Sequence, residues 1–173
     1  MNNVPKNDEI KTNDEIKTNN ETIISTDDNT DDNDKNKNNR LTLTSSQCNY
    51  LWRLSWLTLG SSIYSGYRGY YDLSLSSGVV FLTSINYWRN PDYSYRRYLD
   101  IVCVHSALAL HLYRAYYASN YLPYYMINGL AMVSYPIAIY YYKKKHYWKS
   151  VISHGFVHIF ANIANYFLYS GSI

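Results

Sequence analysis

The chain has 173 residues, room for one domain, and a formal net charge of +3 that hides two unlike parts. Residues 1–40 hold ten acids against six basic residues, a net of −4, while residues 41–173 hold ten basic residues and only Asp72, Asp92 and Asp100, a net of +7. Two cysteines, Cys48 and Cys103, without a CxxC, exclude a disulfide framework and a zinc-finger pattern.

Residues 1–42 are an Asn/Asp-rich tail with the direct repeat NDEIKT at 7–12 and 13–18. The first forty contain no aromatic residue. Such a segment buries too little apolar surface to offset chain entropy, so it reads as a disordered spacer or a docking arm. A cleaved signal peptide is not expected, because no apolar stretch follows a basic start; the abundant acids also argue against an organelle presequence.

From about residue 43 onward the composition changes. All 22 tyrosines and all four tryptophans lie there. Apolar and aromatic runs alternate with short polar breaks, and each run approaches the roughly 20 residues that a helix needs to cross a bilayer. The predicted fold class is all-α: a multi-pass transmembrane helical bundle of about five spans. The first span, roughly 49–67, carries Arg53 near one end, where it can snorkel. The second is roughly 72–88 and the third 98–117. The fourth, 122–142, contains Pro136 and should bend there. The fifth is 148–170. Tyrosine and tryptophan gather at the span ends, as at Tyr70 and Tyr71, Tyr87 and Trp88, Tyr116 and Tyr117, and Tyr147 and Trp148. That is the pattern of an interfacial aromatic belt. A soluble helical protein would need charged outer faces, and residues 98–142 offer only Asp100 and Arg114 as Asp, Glu, Lys or Arg.

Lys/Arg in the loops set the expected orientation. Arg89, Arg96 and Arg97 fall between spans two and three, and Lys143, Lys144, Lys145 and Lys149 between spans four and five. With five spans both loops share a side. The N-terminus is then cytoplasmic and the C-terminus lies on the opposite side.

The fifth span contains ISHGFVHIFANIANYF, residues 152–167. On a helix, His158, Asn162, Asn165 and Tyr169 lie at about 40°, 80°, 20° and 60° from His154. They form one polar stripe, which either packs against other helices or holds something. Ser84, Asp100 and the pair His154/His158 fall at one depth on three spans. An ionisable group inside a bilayer needs a partner. For Asp100 the expected partner is a metal, an imidazolium, or the nearby Arg96 or Arg97. Histidines at i and i+4 suit Zn²⁺, though a third ligand must come from another helix. Asp100, Cys103, Ala107, His111 and Arg114 share one face of span three. His105 and His111 read as packing or hydrogen-bonding residues.

LTSINYWRNPDYSYRRYLD at 82–100, followed by HGFVH at 154–158, resembles a membrane superfamily. It comprises alkaline ceramidases, progestin and adipoQ receptors and hemolysin III-like proteins. The resemblance implies a seven-span scaffold with zinc held by three histidines, and an Asp and Ser assisting a bound water in lipid amide hydrolysis. Residue by residue, Ser84 and Asp100 match the catalytic Ser and Asp, and His154 and His158 match two metal ligands. The first ligand histidine of the family falls on Trp88, which cannot bind zinc. The expectation is therefore a non-catalytic, lipid-binding or structural member of that scaffold. A zinc-dependent lipid amidase at the cytoplasmic face is the alternative, and a small transporter or channel a second. The expected partners are the lipid bilayer and a lipid ligand, with no nucleic acid. Richness in Asn, Ile, Tyr and Lys is similar in style to proteins of AT-rich genomes, such as giant DNA viruses or protists, and says nothing of mechanism.

Overall fold

A computed structural model describes residues 43–173. The Asn/Asp-rich tail at 1–42 lies outside the described residues. Within them the chain is all-helical, with five helices and no strand. These are α1 (Ser45–Tyr67), α2 (Tyr71–Trp88), α3 (Tyr95–Tyr116), α4 (Tyr121–Lys143) and α5 (Tyr147–Ser170). Each falls on one of the five apolar runs, within a few residues at either end.

Local chemistry sets the boundaries. Thr44 starts α1 through a capping box: its Oγ1 accepts from the Gln47 N–H, and Gln47 Oε1 accepts from the Thr44 N–H. Gly69 follows α1 at φ 83°, a left-handed conformation that glycine adopts without a Cβ penalty, and reverses the chain into α2. Ser94 caps α3 by accepting from the Arg96 N–H. Pro136 sits inside an uninterrupted α4, so the Met132 carbonyl loses its usual N–H partner there.

The helices form a ring. α1 packs on α2 and α5, α2 on α3, and α5 on α4, while α3 and α4 touch only lightly. Small residues bring α1 and α2 together. Ser62 and Ser74 exchange bonds, each hydroxyl donating to the other residue's carbonyl at 2.8 Å. A Cβ on Gly66 would meet Ser74 Oγ at 3.0 Å, and one on Gly78 would meet Ser62 Oγ at 3.2 Å. Buried apolar residues form two clusters, one around Leu73, Tyr124, Leu168 and Tyr169 and one around Leu51, Tyr87, Trp88 and Val151.

The chain runs up and down. At one end the α1–α2 turn, the α3–α4 turn and the C-terminus meet: Tyr70 Oη donates to the Gly171 carbonyl at 2.7 Å, and Ser119 N–H donates to the Ser172 carbonyl at 2.9 Å. At the other end the α2–α3 loop meets the end of α4, with the Tyr93 and Tyr142 hydroxyls 3.5 Å apart. Both basic loops lie at this second end.

The interior mixes small polar residues with the apolar clusters, and large apolar side chains also lie on the surface. Ser55, Ser61, Ser65, Ser77, Ser84, Asn128 and Asn162 are buried, whereas Ile63 (64 %), Leu75 (72 %) and Met126 (68 %) are exposed. By length and composition, one helix among the described residues, α5, is apolar enough to cross a membrane. The serines and tyrosines spread through the other four lower their mean hydropathy.

Candidate functional site

The site is built at the basic end from α2, α3 and α5. Ser84 lies one turn before the end of α2, and Asp100 one turn into α3. The two helices are joined by a six-residue connection, which folds them side by side. Ser84 Oγ donates to Asp100 Oδ1 at 2.6 Å, and Thr83 Oγ1 donates to the same oxygen at 3.0 Å. Both Ser84 and Asp100 are buried. The two residues expected to act together are thus in direct contact.

The expected partner of Asp100 needs correction. Among the described residues it is neither an arginine nor an imidazole. Arg96 turns the other way and pairs with Asp92 at 2.7 Å, and Arg97 lies over the Tyr93 ring at 4.9 Å. Two hydroxyls hold the carboxyl instead, because α3 turns Asp100 inward against α2. Thr83 was not expected in this role. Its position beside Ser84 was the available signal, since two adjacent hydroxyls at a helix end can both reach across to one acceptor.

One turn along α2, the Trp88 ring lies 5.2 Å from the His154 ring. His154 in turn lies 5.4 Å from His158, as centroids, and 6.0 Å from Tyr135 on α4. Among the described residues, no hydrogen bond reaches the ring nitrogens of His154 or His158, whereas Trp88 Nε1 is buried without a partner. Gly155, between the histidines, is where α5 approaches α1 closely: a Cβ there would meet Leu54 Cδ1 at 2.8 Å and Tyr50 Cε1 at 2.9 Å.

Two imidazoles on one tetrahedral zinc have ring centroids about 5 Å apart, given Zn–N bonds of about 2.0–2.1 Å. The His154–His158 spacing fits that pair of corners. The indole at the next position has no lone pair to offer. Among the described residues, no three His, Cys, Asp or Glu side chains come together as a metal-binding group. The side chains present therefore supply two donors and do not complete a zinc site.

The rest of the α5 stripe packs. Asn162 Oδ1 accepts from Ser61 Oγ at 2.6 Å, and its Nδ2 donates to the His158 carbonyl at 2.7 Å and to Thr58 Oγ1 at 3.3 Å. Tyr169 lies 2.6 Å from His111 Nε2 and 3.1 Å from Ser77 Oγ. This second polar cluster, toward the other end, joins α2, α3 and α5. His111 is the hydrogen-bonding residue expected there; Ser77 was not singled out. His105 is exposed, with Nδ1 2.7 Å from the Ile101 carbonyl. Arg114 closes the same end through an ion pair with Asp72 at 3.3 Å.

These elements define an all-helical protein with a Ser–Thr–Asp cluster beside an indole-capped pair of histidines. No protein-family model, curated protein or solved structure matches the chain.

Proposed function

We propose that this is a multi-pass integral membrane protein, a non-catalytic, lipid-binding or structural member of a hydrolase-like scaffold. Three features support the membrane reading. The helices of 18 to 24 residues extend about 27–36 Å at 1.5 Å per residue, against a hydrocarbon core of about 30 Å. Large apolar side chains lie on their outer faces, and serines and asparagines are buried among the apolar residues where they pack, which suits helices solvated by lipid. Both basic loops share an end, which is then the cytoplasmic face, with the C-terminus opposite.

The observation that carries the non-catalytic reading is the Trp88–His154 contact. Ser84 lies one turn before Trp88 on α2 and is hydrogen-bonded to Asp100. The position that would give the third metal ligand holds an indole packed on the second. A metal that activates water needs three protein ligands and an open position, and the side chains here supply two of the three ligands. The alternative, a zinc-dependent lipid amidase, draws on the unpaired ring nitrogens of His154 and His158.

The test is zinc content per chain after purification in mild detergent. The parent should carry no stoichiometric zinc. Trp88→His should acquire about one, because it puts a third imidazole beside His154, and Trp88→His/His154→Ala should lose it. One zinc in the parent, lost with His154→Ala, would overturn the reading in favour of the amidase. No zinc in Trp88→His would sink the hydrolase-like scaffold. Release of the chain from membranes by alkaline carbonate would refute the membrane reading independently.

A further inference from the structure

A groove of about 470 Å³ runs along the outer face of α1 and α2 at the basic end. Asn49 and Trp52 of α1, Leu82, Ile85 and Asn86 of α2, and Arg89 just past its end line it. It is separate from the Ser84–Asp100 cluster, which faces α3 on the packed side of α2.

The lining is graded along the helix axis. Asn86 lies in the last turn of α2 and Arg89 caps it, with Asn49 beside them from the start of α1. Counted from Arg89 at 1.5 Å per residue, Asn86 and Ile85 lie about 4.5 and 6 Å down the axis and Leu82 about 10 Å, so the apolar share of the lining grows with depth. Trp52 forms one wall and is braced from behind: its ring meets Trp56 edge-on at 5.6 Å, and Trp56 meets Phe81 at 5.2 Å. Polar groups at the rim and an apolar floor below are the two halves of an amphiphile site.

Charge selects the amphiphile. Arg89 is exposed, and among the described residues its guanidinium has no ion pair or hydrogen bond. Among the described residues the acids at this end are engaged elsewhere, Asp92 by Arg96 and Asp100 by Ser84 and Thr83. A guanidinium fork is suited to phosphate oxygens. Asn49 and Asn86 add amide donors at the same level.

We infer that the α1–α2 groove binds one anionic phospholipid, its phosphate on Arg89 and its first acyl carbons against Trp52, Ile85 and Leu82. This rests on the membrane reading above and gives the lipid-binding role a place and a headgroup class.

The experiment uses the full chain in phosphatidylcholine nanodiscs doped with phosphatidylglycerol brominated on its acyl chains, with tryptophan fluorescence as the readout. Brominated phosphatidylglycerol should quench more strongly than brominated phosphatidylcholine at equal mole fraction, and Trp52→Phe should remove the difference. Arg89→Gln should weaken the apparent affinity about fivefold, the factor for losing one basic residue's attraction to an anionic lipid. Lys144→Gln, on the α4–α5 side of the same end, should leave it unchanged. Soluble glycerol phosphate should not reverse the quenching, because it lacks the acyl half. Equal quenching by the two lipids, or equal loss in Arg89→Gln and Lys144→Gln, would overturn the site while leaving the membrane reading intact. Reversal by glycerol phosphate would overturn it as a lipid site. No quenching by any brominated lipid would remove both.

Discussion

Ser84 donates its hydroxyl to Asp100 across the α2–α3 interface at 2.6 Å, and this bond fixes how the end of α2 meets the start of α3. Thr83 reaches the same oxygen but is also bonded to the Val80 carbonyl in its own helix, at 3.1 Å. Ser84 is therefore the hydroxyl with more to lose. Asp100→Leu should cost about 1–3 kcal/mol, because it strands a buried donor. Asp100→Asn keeps an acceptor oxygen in place and should cost less than half as much. Thermal unfolding in detergent, followed by circular dichroism, separates the two. Equal losses would mean that the carboxyl's charge, and not its acceptor oxygen, holds the interface.

The Tyr169–His111–Ser77 cluster predicts a coupling of definite sign. His111 Nδ1 lies 2.7 Å from the Ala107 carbonyl, so Nδ1 carries the proton and Nε2 the lone pair. Tyr169 then donates to Nε2 at 2.6 Å, while Ser77 stands at 3.4 Å from the same nitrogen. Ser77→Ala alone should cost only a few tenths of a kcal/mol, since Tyr169 still serves Nε2. Tyr169→Phe should cost about 1 kcal/mol, in the range of inter-helix hydrogen bonds in membranes. In the double mutant Nε2 has neither donor, so the combined loss should exceed the sum of the two. A simple sum, measured by the same melts, would show that Ser77 does not stand in for Tyr169.

Helix positions were legible because their signal is one-dimensional: apolar runs of similar length separated by short polar breaks. The Ser84–Asp100 meeting was legible for a related reason, since a short connection between two antiparallel helices brings residues near its ends together. The partner of Asp100 was not. Arg96 is as near in sequence to Asp92 as to Asp100, and only the three-dimensional path of the 89–94 loop decides between them. The Trp88–His154 contact depended on which face of α5 turns toward α2, and Gly155 sets this by letting α1 in close on one side. The α1–α2 groove was illegible because Asn49 and Asn86 are ordinary surface residues until two helices bring them side by side.

The loop before α3 gives a pH dependence outside the helices. Partial burial pushes the Asp92 carboxyl up, but hydrogen bonds from Ser94 and Arg96, and the Arg96 charge, outweigh it and hold it below the usual carboxylate value. The folded state thus binds the Asp92 proton less readily than the unfolded state does. The stabilisation is complete above the unfolded pKa of about 3.9 and fades as pH falls through the lower folded value. Asp92→Asn should flatten that part of the stability–pH profile and leave the neutral-pH slope alone. An unchanged acid limb in detergent melts would mean that the Asp92–Arg96 pair contributes nothing to folding.

Lys145 gives the opposite kind of prediction, a gain. It sits just past α4 at φ 60°, in the left-handed region. Its N–H donates to the Tyr142 carbonyl at 2.9 Å, and the His146 N–H donates to the Tyr141 carbonyl at 3.0 Å. That is the Schellman pattern, in which this position is usually glycine because a Cβ is strained there. Lys145→Gly should relieve the strain and stabilise the turn by about 0.5–1 kcal/mol, less the entropy that glycine adds to the unfolded chain. Lys145→Ala keeps the Cβ and should gain nothing, which separates backbone strain from the loss of one charge among Lys143, Lys144 and Lys149. If alanine stabilised the protein as much as glycine, repulsion within the basic turn would be the cause, and the gain should then shrink as salt is added.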